Sequence, residues 1–185
     1  MGLDMYLNRK TYVKHWDHKG DDNFKITVFK NSEEFKGINP KRISYIEEEV
    51  IYWRKANQIH NWFTKNVQNG NDDCGDYYVS LEQLKTLRDI CENVLIESKL
   101  VDGIVKNGSF ANKETNFKFK DNLELGKVIK DFSYAEENLP CSGGFFFGGT
   151  DYDEYYYNDV LETLNSLNEI LNEDNIGDFY YSSSW

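Results

Sequence analysis

The chain has 185 residues, 39% hydrophobic and 29% charged, a balance that supports a folded core and excludes a disordered or fibrous chain. Its formal charge of −11 repels duplex nucleic acid and anionic membranes unless a local basic patch reverses the field; the nearest candidate is the loose run Lys113, Lys118, Lys120, Lys127 and Lys130. Three cysteines (Cys74, Cys91 and Cys141), odd in number and without CxxC spacing, argue against a disulfide framework and a structural zinc site.

The first residues show no basic segment followed by an apolar run, and Tyr6 stands where a myristoylation motif needs Ser or Thr. No stretch reaches transmembrane length, so the expected location is the cytoplasm.

In chain order, Leu3 to Val13 alternates Leu3, Met5, Leu7 against Asp4, Tyr6, Asn8, which predicts a strand. A turn is expected at 20–23. Phe24 to Phe29 alternates again, and the two segments are expected to pair as an antiparallel hairpin with a wide loop. From about Ile43 the spacing of Ile46, Val50, Trp53, Asn57 and His60 predicts a helix running to about Val67, stopped at 69–71. After a loop at 71–76, Ser80 with Gln83 has the spacing of a capping box, and Leu84, Leu87, Cys91, Val94 and Leu95 form the stripe of a second helix.

Residues 100–138 are read as loop plus a short hairpin at Asn116 to Lys120, an insertion into an otherwise single domain spanning 1–185. The glycine-bracketed run Phe145 to Phe147 reads as a buried strand entering a tight turn. Thr150 is the expected N-cap, with Asp153 at N3, of a third helix through Tyr156, Val160, Leu164, Leu167 and Leu171. Phe179 to Tyr181 offers a terminal strand. The expected fold is α+β, a small antiparallel sheet covered on one face by three amphipathic helices.

Two segments carry candidate chemistry. In the block YWRKANQIHNWF at 52–63, helical spacing groups Trp53, Asn57 and His60, with Arg54 and Asn61 on an adjoining face. Arg54 has the fork to grip a phosphate or carboxylate, Trp53 a ring to stack on a base, and His60 a pKa suited to general-base work. The competing reading makes Trp53, His60 and Phe63 core residues. The second segment is the glycine turn at 142–150 with Asp151 and Asp153, where backbone N–H groups before a helix suit an anion. It lacks the Walker and dinucleotide patterns, and Asp151 and Asp153 would repel a phosphate there, so Thr150 and its neighbours also read as a plain capped turn.

The acidic groups at 72–76 and 151–154 lack the calcium-loop pattern, and His15, Asp17 and His18 read as a solvated loop; no metal or cofactor is expected.

The opening MGLDMYL, the block at 52–63, the helix entry at 77–80 and GFFFGGTDYD at 144–153 together resemble a family of small bacteriophage and prophage proteins with no established activity. The resemblance implies a phage accessory protein acting in the host cytoplasm. With abundant aromatics for stacking, it leads to an expected binder of a nucleotide-derived ligand that sequesters a host immune signal. A small nucleotide hydrolase or transferase using His60 with Asp151 or Asp153 is the catalytic alternative, and an acidic inhibitor of a host protein is the third. No catalytic signature is present, which puts binding ahead of catalysis. The expected partners are a nucleotide-like small molecule or a host protein, with homo-oligomers open.

Overall fold

A computed structural model describes residues 2–112, 114–144, 146–174 and 177–185. The strands are β1 (Asp4–Tyr12), β2 (Phe29–Lys30), β3 (Glu33–Glu34), β4 (Tyr45–Arg54), β5 (Tyr77–Val79), β6 (Leu100–Phe110), β7 (Lys120–Ile129) and β8 (Asp178–Ser184). The helices are α1 (Asn57–Asn66), α2 (Leu81–Glu97), α3 (Ser133–Asn138) and α4 (Glu154–Leu171). The fold is α+β.

The main sheet is antiparallel in the order β4-β1-β8-β5. Alternation decides its two faces. Leu3, Met5 and Leu7 of the first strand, Ile51 and Trp53 of β4, Phe179 and Tyr181 of β8 and Val79 of β5 are buried. They share one core with Ile59 and Phe63 of α1, Leu84, Leu87 and Cys91 of α2, and Val160 and Leu167 of α4. The opposite face carries Tyr6, Tyr52, Tyr78 and Tyr180, turned away from the helices. Phe63 and Tyr181 stack at 3.9 Å between ring centres, which pins α1 to β8 at the middle of the core.

Several expectations are corrected. β1 does not pair with 24–29; its neighbours are β4 and β8. Within 24–29 only Phe29 is in a strand, opposite Glu34. Its alternation has no core to bury into, and no residue from 24 to 29 is buried. The helix expected from Ile43 begins at Asn57. Residues 45–54 read at both periods, and the β-branched and aromatic run Ile51 to Trp53 pairs with β1, where alternate residues bury, while Val50 is the extra residue at a register shift. Lys55, in the left-handed region at φ 62°, breaks the strand from the helix.

At 100–138 the hairpin is long rather than short. Gly103 faces Gly126 across it, and the Asn116 to Lys120 alternation falls in the turn, with only Lys120 in a strand. Its root is tied down: Ile129 is in the core and its N–H donates to the Tyr152 carbonyl at 3.0 Å. The expected strand at Phe145 to Phe147 is absent from the described part, Phe146 and Phe147; Phe146 is exposed with φ 65°. Phe145, like Met1 and Lys113, lies outside the described residues. The cap of α4 is Asp153 itself, whose Oδ1 accepts from the Tyr155 and Tyr156 amides, so Thr150 stands outside the helix. The Ser80–Gln83 capping box is as expected.

Candidate functional site

One cleft encloses about 730 Å³, within the range of small-molecule sites. Four pieces of chain build it. The end of β4 and start of α1 contribute Arg54, Lys55 and Gln58; the glycine loop contributes Gly148 to Asp151. Tyr155, Tyr156 and Asp159 come from α4, and Lys106 to Ser109 with Asp121 from the β6–β7 hairpin. The register shift between Lys106 and Ser109, with Gly108 at φ 75°, is a bulge that brings this part of β6 to the cleft.

Asn57 organises the floor. It is buried; its amide donates to the carbonyls of Phe147 (3.2 Å) and Gly149 (2.6 Å), and its Oδ1 accepts from the Ser142 N–H at 2.9 Å. One side chain therefore sets the whole glycine loop. Gly148 has φ 98°, and a Cβ there would sit 3.0 Å from the Lys55 carbonyl, so the loop closes against the β4–α1 joint only because no side chain intervenes. The left-handed Lys55 is fixed by its N–H to the Leu3 carbonyl and by its own carbonyl, which accepts from Asn57 N, both at 2.8 Å. Among the described residues Lys55 makes no ion pair.

The cleft mixes charges. Lys106 pairs with Asp121 at 2.8 Å, and Arg54 stands 3.8 Å from Asp4. Asp159, half-buried on α4, accepts from Gln58 Nε2 at 3.2 Å. Burial pushes its carboxyl up to about 6, with smaller upward contributions from Glu162 and Asp153, against the downward pull of the Gln58 bond. Asp153 is also pushed up, chiefly by burial, while its two backbone hydrogen bonds oppose the shift. Burial, reinforced by Asp153, Asp151 and Asp159, pushes the Cys141 thiol up to about 12, which keeps it protonated and unreactive. Chemically, the cleft offers cations for a phosphate, acceptors for amino or imino groups, and the exposed ring of Tyr155.

Of the residues singled out by sequence, Arg54, Thr150, Asp151 and Asp153 line this cleft. The other four do not. Trp53 is in the core, its Nε1 donating to Thr163 Oγ1 at 2.8 Å. Asn57 supports the loop from behind, and Asn61 donates to the Pro140 carbonyl at 2.9 Å. His60 is 2% exposed, with Nδ1 2.7 Å from the Tyr181 hydroxyl and Nε2 3.0 Å from Asp72. A carboxylate only accepts, so the proton is assigned to Nε2 and Nδ1 accepts from Tyr181. Asp72 also accepts from Trp185 Nε1 at 3.1 Å, so the network fastens the 71–76 loop and residue 185 to α1.

Sequence reasoning missed Lys55, Gln58, Lys106, Tyr155 and Asp159. The signal for Asp159 was an acid beside the apolar stripe of α4, next to Val160. Lys106 carried no local signal, because its place depends on a bulge.

The acidic cluster at 72–76 is occupied structurally: Asp73 accepts from the Gly75 N–H and Tyr77 hydroxyl, and Asp76 pairs with Lys10. Among the described residues no group of three or more His, Cys, Asp or Glu is arranged to hold a metal ion, and no helix is long and apolar enough to cross a membrane. No family model, no curated protein and no solved structure matches the chain.

Proposed function

We propose that this chain binds a small phosphorylated ligand of the nucleotide class in the cleft between the glycine loop and the β6–β7 hairpin, without transforming it. One observation carries the reading. In a chain of net charge −11, three cations, Arg54, Lys55 and Lys106, line one ligand-sized cleft beside four carboxylates, Asp121, Asp151, Asp153 and Asp159, and Lys55, without an ion pair among the described residues, is held there in a left-handed conformation. Such backbone strain costs of order 1–3 kcal/mol and persists where the surroundings enforce it. The phosphates lie toward these cations, the base toward Tyr155, and base amino groups toward Asp151 and Asp159. In the phage setting that the sequence resemblance implies, such a binder sequesters a nucleotide-derived immune signal in the host cytoplasm. Titration with cyclic dinucleotides and ADP-ribose by calorimetry tests the reading: saturable binding that weakens at least tenfold in Lys55→Ala is expected. Dissociation constants weaker than millimolar for every compound would refute it.

A catalytic reading has one observation in its favour, the Asp159 carboxyl pushed to about 6 at the cleft wall, a value suited to general acid–base work. It predicts a new product on incubation, lost in Asp159→Asn. His60 does not serve it, being enclosed between Tyr181 and Asp72.

A further inference from the structure

The hairpin of β6 and β7 leaves the core beyond its root. Val105 is buried, but on the other face Ile104 stands opposite Leu125, and Lys106 opposite Leu123. Leu125 is 92% exposed, and Ile104 and Leu123 are also exposed. At the turn, Phe117 and Phe119 alternate with Lys118 and Lys120; Phe119 is 82% exposed. A two-stranded ribbon is marginal alone in water, and contiguous apolar surface of this kind marks a contact. From residue 99 to 131, lysines outnumber acids seven to five, so this arm is cationic within a chain of −11.

The same chain carries a surface of opposite character. On the sheet face turned from the helices, Tyr6 meets Tyr52 and Tyr78 meets Tyr180, with ring centres 5.5 and 6.0 Å apart. Glu47 and Glu49 project on that face, opposite Lys10 and Asn8, and among the described residues only Glu47 of the two has a cation, Lys10, at 3.5 Å. β4 is an edge strand, but Glu47, Glu48 and Glu49 in a row oppose pairing it with another β4. The open face, rather than the edge, is what a second copy can cover.

We propose that the β6–β7 arm packs across the tyrosine-rich sheet face of a second copy of this chain, each copy giving its arm to the other in a two-fold dimer. Leu123, Leu125 and the two phenylalanines supply apolar area, and Lys118 and Lys120 meet the tyrosine rings and Glu49. Burying about five apolar side chains per arm and their counterparts, twice over, removes on the order of 1,200 Å² or more, the size of a stable interface. An anionic bilayer offers the arm no comparable fit, since the net charge of the rest of the chain opposes approach.

Sedimentation of the full chain from low to high micromolar concentration tests this. A species of twice the 21.8 kDa chain mass is expected, and Leu125→Glu should return it to monomer with unchanged far-ultraviolet circular dichroism. The paired variants Lys118→Glu/Lys120→Glu and Glu49→Lys should each weaken the dimer at least tenfold, and their mixture should recover a heterodimer. A monomer at every concentration overturns the proposal, as does a dimer indifferent to Leu125→Glu. Co-flotation of monomeric protein with phosphatidylserine vesicles, lost in Leu125→Glu, overturns it in favour of a membrane contact.

Discussion

Asp159→Asn separates burial from charge at the cleft wall. The Asp159 carboxyl rises from an ordinary 3.8 to about 6 in the folded chain. Because its folded pKa lies above its unfolded one, the stability linked to it is fully present below about pH 4 and lost as pH rises through about 6. Two units at about 1.4 kcal/mol each give a ceiling of about 3 kcal/mol; solvent in the open cleft lowers the expectation to about 2 kcal/mol. Asparagine keeps an oxygen to accept from Gln58 Nε2 and carries no charge. Urea unfolding of both proteins from pH 4 to 8 should show near-equal stability at pH 4, with the variant gaining about 2 kcal/mol by pH 8. A difference that stays flat within about 0.5 kcal/mol across that range would refute the reasoning, since no desolvated carboxylate would then be titrating.

The remaining predictions address the cleft floor and the core. Asn57→Ala strands the Phe147 and Gly149 carbonyls and the Ser142 amide, and should cost about 3 kcal/mol in urea unfolding; a loss under about 1 kcal/mol would show that the loop holds itself. Gly148→Ala forces a side chain into positive φ against the Lys55 carbonyl and should cost about 1–3 kcal/mol while weakening ligand binding in calorimetry. Ser80→Ala removes the capping box of α2 and should lower stability by about 1 kcal/mol with the cleft unaffected. Leu167→Ala, fully buried on α4, should cost about 3 kcal/mol in the same assay.

What sequence could reveal followed the range of the interactions involved. α2 was legible because its cap and stripe are local, and β1 because Leu3, Met5 and Leu7 alternate cleanly. β8 was legible from three consecutive aromatics. β4 was not, since Ile46, Val50 and Trp53 also fit a helical stripe; only pairing with β1, some forty residues away in sequence, decides the period. That misreading carried into the site. It placed Trp53 beside Asn57 and His60 as ligand contacts, whereas Trp53 points into the core and His60 bonds to Tyr181 and Asp72. Arg54 survived because it ends the strand at the cleft mouth. The glycine loop reads as a turn before a helix, but its closure depends on Asn57 reaching across from α1, a contact that no local pattern encodes.

Incubating the purified protein with cyclic dinucleotides and ADP-ribose, then measuring free compound by chromatography before and after heat denaturation, tests ligand capture most directly. Sequestration predicts that one compound leaves the free pool and returns intact on heating, and that Lys55→Ala leaves most of it free throughout. If every compound stays free and unchanged, or returns as a new product, the cleft is not the non-catalytic nucleotide site proposed here.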